Sequence, residues 1–235
     1  MYSLLSILST PSMWVLFVIL EVFCIFDITD TRNCPLEKMG GLKIMANMDK
    51  KILRITVVAM LTAVAYVLTA VLRIPLMPEA PFLKYDPKDI VIVIVGFIYG
   101  PATAVIMGFV LAFLEFMTVG TSGLVGFIMN FIACVLFAGT ASFIYKKKKD
   151  FVGVILGLVA GTVLLTAGMM LWNYIITPIY QGWPRETVAA MLVPVFMPFN
   201  LIKGGINSGL ILVLHKPILM LATRMGLCPA SEKAE

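Results

Sequence analysis

Six apolar runs, five of them close to or above the length needed to cross a lipid bilayer, dominate this chain from residue 50 onward. A bilayer core of about 30 Å needs roughly 20 apolar residues per helix. Six segments fit or approach this length: Ile55–Leu72, Ile90–Tyr99, Ala102–Val119, Leu124–Tyr145, Phe151–Thr177 and Phe199–Pro217. The sequence therefore predicts an all-α membrane protein, a bundle of six transmembrane helices. The second helix is short, and Gly100-Pro101 joins it tightly to the third.

The scarcity of charge excludes a soluble fold. Only 13% of the 235 residues are charged and 60% are hydrophobic, whereas soluble domains carry about 25% charged residues. The net charge of +5 comes from basic residues that flank the apolar runs, as is typical of membrane spans and not of a phosphate-binding groove. The lipid bilayer is thus the expected partner, and no nucleic acid is expected.

The basic residues also predict an orientation. Ten lie on one side of the predicted bundle: Lys50, Lys51, Arg54, Lys146, Lys147, Lys148, Lys149, Lys216, Arg224 and Lys233. Four lie on the other: Arg73, Lys84, Lys88 and Arg185. Because basic residues are enriched in cytoplasmic loops, both termini are predicted to be cytoplasmic, which agrees with an even number of spans.

Three sequence regions follow from this pattern. Residues 50–220 form the membrane domain, and residues 221–235 form a cytoplasmic tail. We interpret residues 1–49 as an N-terminal extension and assign it no function. Its apolar run from Pro11 to Phe26 contains Glu21, and no basic residue precedes Arg32 as a signal peptide would require.

Polar residues within an apolar span are costly and mark functional sites. Asn200, Lys203 and Asn207 recur at i, i+3 and i+7 in the sixth span, so they share one helix face. Pro198 suits the first turn of this helix, which would place Asn200 and Lys203 near a positive dipole end. We interpret them as ligand-binding residues. Alternatively, Lys203 extends to the outer surface and the amides bond neighbouring helices.

The fifth span carries a second polar position near its outer end, Asn173, which lies between Trp172 and Tyr174. An amide between aromatic rings suits a flat heteroaromatic ligand, although aromatic residues are also common at membrane interfaces. In the third span Glu115 needs a partner, and we predict Lys203 in a structural ion pair.

The outer loop after the first span, residues 75–89, contains four prolines and is therefore stiff. Such a loop can line a pocket above the helices, with Phe82 and Tyr85 as a lid. Its candidate ligand contacts are Phe82, Leu83, Lys84 and Tyr85. These polar and aromatic features all lie on the predicted outer side.

Small residues recur at four-residue spacing in several spans: Ala59/Ala63, Gly96/Gly100, Gly153/Gly157/Gly161 and Gly205/Gly209. Such spacing permits close approach of helices. Packing within the bundle is the default interpretation, and docking of a partner is the alternative.

Enzyme motifs give little support to catalysis. The chain has neither a GxxxxGK[ST] phosphate-binding loop nor a GxGxxG dinucleotide motif. Gly120-Thr121-Ser122-Gly123 resembles an intramembrane protease motif, but His215 is predicted at the opposite membrane face, far beyond the contact a base needs. The four cysteines and single histidine predict no disulfide framework or metal site, and no cofactor or catalytic residue is expected.

Three segments resemble one transporter family: residues 82–89 (FLKYDPKD), 96–101 (GFIYGP) and 198–204 (PFNLIKG). This pattern is similar to the riboflavin-specific substrate-binding (S) components of energy-coupling factor (ECF) vitamin transporters, over roughly residues 50–220.

The resemblance implies a six-helix S component in a prokaryotic cell membrane. It would bind riboflavin from outside and dock onto a transmembrane coupling protein that carries two cytoplasmic ATPases. The family's coupling-protein contact corresponds to Ala59 and Ala63, and its flavin-binding residues correspond to Asn173, Asn200 and Lys203. An S component for another vitamin, such as thiamine or a folate, is the alternative, and an intramembrane enzyme is a more distant one.

Overall fold

The computed structural model describes residues 50–75, 83–118 and 123–224. In that part of the chain the helices are α1 (Lys50–Val71), α2 (Lys88–Tyr99), α3 (Pro101–Thr118), α4 (Gly123–Cys134), α5 (Thr140–Lys147), α6 (Phe151–Gln181), α7 (Arg185–Met191) and α8 (Met197–Arg224). A short antiparallel ladder pairs β1 (Ile74–Pro75) with β2 (Lys84–Tyr85). The predicted N-terminal extension, residues 225–235 of the tail, Phe82 and Ser122 lie outside the described residues.

Five helical segments of the described chain are long and apolar enough to cross a membrane. They are Ile52–Val71, Pro101–Thr118, Gly123–Lys147, Phe151–Gln181 and Arg185–Met220. Helix α2 has 12 residues, about 18 Å, which is shorter than a bilayer core. The structure therefore agrees with an all-α membrane bundle and identifies the second predicted span as its short member.

Local sequence explains where the helices begin and end. The Asp150 side chain accepts a hydrogen bond from the Gly153 N–H (2.7 Å) at the start of α6, as an N-cap residue does. Gly182 ends α6 with a φ of 68°, which costs glycine little. Gly100 ends α2 with a φ of 95°, and Pro101 opens α3, where its missing N–H is harmless.

The last span begins earlier than predicted. Helix α7 starts at Arg185 and continues through a π-helical turn, Leu192–Phe196, directly into α8. This turn contains Pro194, which has no N–H to donate and crowds the preceding turn of helix. The start predicted at Pro198 is therefore wrong. Asn200 lies 15 residues, about 22 Å, beyond the first residue of α7, so the dipole of that helix end does not act on it.

Helix α2 forms the centre of the bundle, in contact with α1, α3 and α8. After Lys88 and Asp89 in its first turn, it is apolar around its whole circumference, and Ile92, Val93 and Val95 are fully buried, as expected of a central helix. Glycines also bring α6 against α5. A Cβ on Gly157 would lie 2.8 Å from the Ala141 carbonyl oxygen, so this interface requires glycine.

The small-residue pairs divide into two kinds. Gly153, Gly157 and Gly161 pack inside the bundle. A Cβ added at Gly205 or Gly209 would have nothing within 4 Å, and Ala59 and Ala63 are exposed on α1. Internal packing thus explains the α6 glycines but not the pairs on α1 and α8.

Candidate ligand-binding cavity and its ionic network

A cavity opens near one end of the bundle, between the β1–β2 ladder and helices α3, α4, α6 and α8. Its empty space, including the open mouth, is about 790 Å³. The apolar part of its wall consists of Leu83, Ala112, Phe116, Phe127, Met129, Ala133, Leu165, Met169 and Phe199. The polar part consists of Arg73, Lys84, Asp86, Glu115, Asn130, Asn173, Asn200 and Lys203. The cavity thus offers both flat apolar walls and a compact set of hydrogen-bonding groups.

Five residues predicted as ligand contacts line this cavity together: Leu83, Lys84, Asn173, Asn200 and Lys203. They come from the chain around β2 and from α6 and α8, which are remote in sequence. Trp172 lines a smaller cavity beside it, with Ile176, Thr177 and Tyr180. Asn173, Gly126 and Met129 border both cavities, so Asn173 stands between them.

Tyr85 and Asn207, also predicted as ligand contacts, are buried but are not among the described residues that line the cavity. The Tyr85 hydroxyl donates a hydrogen bond to Asn207 Oδ1 (2.9 Å). The Asn207 amide donates in turn to Asp89 Oδ2 (3.4 Å). These two side chains therefore tie β2 to α8 behind the cavity wall.

A network of six ionisable side chains, which we call the ionic network, surrounds the base of the cavity. Its members are Arg73, Asp86, Lys88, Asp89, Glu115 and Lys203, and all but Arg73 have side chains no more than 7% exposed. Three are cationic and three anionic, so their formal charges sum to zero. A buried charge is stable only when it is paired and hydrogen-bonded, and here every charge has a partner of opposite sign.

Glu115 is paired differently from the prediction. Both of its oxygens accept hydrogen bonds from Lys88 (2.7 and 2.9 Å), and Oε2 also accepts from Arg73 and Asn130. The predicted pair with Lys203 is therefore wrong, although the prediction of an ion pair for Glu115 is right. Four hydrogen bonds from three donor groups nearly saturate a carboxylate, so Glu115 is a structural centre of the network.

Lys203 is held by two other carboxylates. Its ammonium lies 3.3 Å from Asp86 Oδ1 and 3.2 Å from Asp89 Oδ2. Asp86 is shared, because its second oxygen accepts from Lys88 (3.0 Å). Burial raises the pKa of the Asp86 carboxyl, but the charges of Lys203 and Lys88 outweigh burial and lower that pKa below its usual range. Asp86 is therefore ionised at neutral pH.

The two amides that line the cavity bond mainly to their own helices. Asn173 donates to the Met169 carbonyl (2.7 Å) and accepts from Thr177 (2.9 Å), and Asn200 donates to the Phe196 carbonyl (2.8 Å). An amide has two N–H donors and a carbonyl oxygen with two lone pairs. Each side chain therefore retains donor and acceptor capacity for a molecule in the cavity, within an otherwise fixed geometry.

His215 is not among the described residues that line this cavity; it packs edge-on against the rings of Phe97 and Tyr145 at centroid distances of 5.8 and 5.7 Å. It is buried in the half of the bundle that contains the α2–α3 junction. Ser122, the nucleophile of the rejected protease interpretation, lies outside the described residues. The aromatic surroundings of His215 indicate a packing role.

Comparison with known proteins gives this cavity a context. Residues 53–215 match the family model described as "ECF transporter, substrate-specific component". This chain belongs to the S components of ECF transporters. It is 30% identical to the riboflavin transporter RibU of Streptococcus thermophilus, over 73% of this chain and 85% of that protein. It is 32% identical to the riboflavin transporter FmnP of Bacillus subtilis, over 66% of this chain and 85% of the relative.

A solved structure has the same fold. It is described as the structure and mechanism of the S component of a bacterial ECF transporter. The TM-score is 0.63 at 29% identity, and the alignment covers 72% of this chain and 97% of the solved one. The family model therefore establishes the family of this chain, and the solved structure supports its fold in a separate comparison.

Most of the ionic network of this S component was not predicted as part of the site. Asp86, Lys88 and Asp89 follow one another around Pro87, directly before the apolar helix α2. Three charges within four residues beside a membrane segment were a signal of buried pairing. Asn130, a single amide in the apolar helix α4, was a second signal of the same kind.

Proposed function

We propose that this chain binds riboflavin in the cavity described above and delivers it inward as the S component of an ECF uptake transporter. The observation that carries the proposal is the joint lining of one cavity by Asn173, Asn200 and Lys203 together with apolar and aromatic walls. Riboflavin has an apolar tricycle, a uracil-like edge and a chain of hydroxyls. The walls suit the tricycle, and the amides and ammonium suit the polar edge and hydroxyls.

The charge balance of the ionic network supports riboflavin over a cationic vitamin such as thiamine. The six charges of the network sum to zero, and both carboxylates that line the cavity, Asp86 and Glu115, are already paired. Thiamine is a cation and would be buried there without a counter-ion. Riboflavin is neutral. The names of the relatives support the same choice.

The direct test is spectroscopic. The purified protein is expected to show flavin absorption bands, and the stripped protein should quench riboflavin fluorescence saturably. Lys203→Ala should weaken binding by about 1–3 kcal/mol, as expected for lost charge-assisted hydrogen bonds. Lys216→Ala is the matched control, because Lys216 is exposed and lies over the Phe151 ring. A colourless protein that leaves flavin fluorescence unchanged would reject riboflavin and redirect the search to thiamine and folates.

For the topology, we propose that α2 joins the five long segments to give six membrane segments within residues 50–220, with both termini in the cytoplasm of a prokaryotic cell. The basic residues near Lys50, Lys146 and Lys216 favour this orientation. Residues 221–235 would be a cytoplasmic tail and residues 1–49 an extension outside the S-component domain. Reporter fusions after residue 149 and after residue 184 should give cytoplasmic and external signals, respectively.

For the partners, we propose that a transmembrane coupling protein with two cytoplasmic ATPases docks on the face of α1 that carries Ala59 and Ala63. Both residues are exposed, and small side chains permit close helix contact. Ala59→Trp should leave riboflavin binding unchanged and block riboflavin uptake. Leu171→Trp is the control, since Leu171 is 62% exposed on α6. Full uptake by Ala59→Trp would refute this docking face.

A further inference from the structure

The ammonium of Lys203 divides its hydrogen-bonding capacity between the cavity and the protein. A lysine ammonium has three N–H donors. Two point toward carboxylates, Asp86 Oδ1 at 3.3 Å and Asp89 Oδ2 at 3.2 Å. The third remains for a molecule in the cavity, which Lys203 helps to line. The direction of that donor depends on what holds the other two.

The two carboxylates that contact Lys203 are not equivalent. Asp86 lines the cavity and shares its charge with Lys88. Asp89 is 2% exposed, is not among the described residues that line the cavity, and forms its ion pair there with Lys203 alone. Asp89 therefore holds Lys203 from the side away from the cavity.

Asp89 is in turn fixed from behind. Asn207, which is fully buried, donates to Asp89 Oδ2 (3.4 Å) and accepts from the Tyr85 hydroxyl (2.9 Å). A chain of contacts thus runs from β2 through α8 to the N-terminal turn of α2 and back to Lys203. Lysine has a flexible four-carbon stem, so its position depends on such contacts.

We propose that Asp89 is a positioning residue for riboflavin binding, acting through Lys203. It fixes the ammonium between two carboxylates so that one N–H faces the cavity. This inference rests on the proposed function, in which Lys203 contacts riboflavin. Without the Asp89 charge, the ammonium is held by Asp86 alone, so the direction of its third N–H toward the ligand is no longer fixed.

The test is a double-mutant cycle on the dissociation constant for riboflavin, measured by fluorescence quenching. Asp89→Asn keeps the shape of the side chain and removes its charge, and it should raise the dissociation constant about tenfold. In the Lys203→Met background the same substitution should change the dissociation constant less than twofold. Asp150→Asn is the matched control, because Asp150 is half-exposed between α5 and α6, and it should leave binding unchanged.

Each outcome of the cycle is decisive. Equal losses from Asp89→Asn with and without Lys203 would show that Asp89 acts through the fold, and would overturn the proposal. Unchanged binding in Asp89→Asn would also overturn it, while leaving riboflavin binding itself intact. Unchanged binding in Lys203→Met would remove the ligand contact on which it rests. Failure of the unsubstituted protein to bind riboflavin would reject the proposed function before any variant is compared.

A second arm covers the case in which Lys203→Met does not fold. Asn207 reaches Lys203 only through Asp89 among the contacts described. Asn207→Ala should therefore weaken riboflavin binding in the unsubstituted protein and have no further effect in the Asp89→Asn background. Additive losses in that pair would overturn the proposed chain of contacts.

Discussion

The two halves of this bundle are built in opposite ways. The half with the β1–β2 ladder, which we call the cavity half, contains the ionic network and the amides of Asn173 and Asn200. The half with the α2–α3 and α5–α6 junctions, which we call the close-packed half, is held by contacts between small residues and backbone. There a Cβ on Gly157 would lie 2.8 Å from the Ala141 carbonyl oxygen, and one on Gly96 would overlap Ser142.

The two halves of the bundle are therefore held rigid by different interactions. In the close-packed half, van der Waals contact at short range holds the helices together, as is usual where lipid removes the hydrophobic driving force between them. In the cavity half, helices must stand apart to leave space for a ligand, so contact of this kind is not available across the cavity. Ion pairs and hydrogen bonds replace it, and they also supply the groups that face the ligand.

The largest expected effect is the loss of Lys88, the cation shared by Asp86 and Glu115. Lys88→Met should lower the free energy of unfolding by about 3–5 kcal/mol, because it leaves a buried negative charge uncompensated. Thermal unfolding in detergent measures this loss. Lys148→Met is the control, since the Lys148–Asp150 pair is 3.8 Å long and half-exposed and such pairs contribute little. Equal stability of the two variants would refute a structural role for the ionic network.

A smaller effect is expected from overpacking the close-packed half. Gly157→Leu should lower the free energy of unfolding by about 1–3 kcal/mol, because the new side chain meets the backbone of Ala141. Gly205→Leu introduces the same side chain at an open position and should leave stability unchanged in the same unfolding assay. If Gly205→Leu proved equally destabilising, close contact with Ala141 would not explain the loss at Gly157, because leucine is a better helix former than glycine.

The sequence was sufficient to predict the long helices and part of the cavity wall, but not most of the ionic network. Long apolar runs predicted the long helices, and the spacing of Asn200, Lys203 and Asn207 correctly predicted one buried helix face. Asn173 and Leu83 line the cavity with Asn200 and Lys203 as expected. The helix-face prediction succeeded because it depends on local periodicity, which a single helix determines by itself. The shared cavity wall followed from placing all of these residues on the same predicted outer side. Their role in ligand binding stays a prediction.

Predictions that depended on pairing between elements were less successful. Glu115 was assigned to Lys203 because both are ionisable residues within apolar spans. In the structure Glu115 pairs with Lys88, at the start of α2, and Lys203 pairs with Asp86 and Asp89. Which charged side chains form pairs depends on their distances in the folded structure, and residue spacing within one helix does not reveal those distances.

The error at the start of the last span has a different physical reason. Pro198 looked like the first turn of a helix because proline is common there. The helical stretch instead begins at Arg185 and passes Pro194 in a π-helical turn. In lipid, backbone groups have no water to bond, so the helix continues past proline where a soluble helix would often end. Membrane context thus overrode a local signal.

The smallest expected effect tests whether binding and stability are carried by different polar groups of the cavity half. Asn200 bonds to the Phe196 carbonyl of its own helical stretch and takes no part in the ionic network. Asn200→Ala should therefore weaken riboflavin binding by about 1 kcal/mol, the contribution of a typical hydrogen bond, and change thermal unfolding little.

The control is Gln181→Ala. Gln181 is an amide at the end of α6 that is not among the described residues lining either cavity, so this substitution should affect neither riboflavin binding nor thermal unfolding. A loss of stability in Asn200→Ala comparable with that in Lys88→Met would mean that the amide also holds the helices together, and that the cavity half has one polar system serving both purposes. A loss of binding alone would leave the ionic network as the frame and Asn200 as a group free to recognise the ligand.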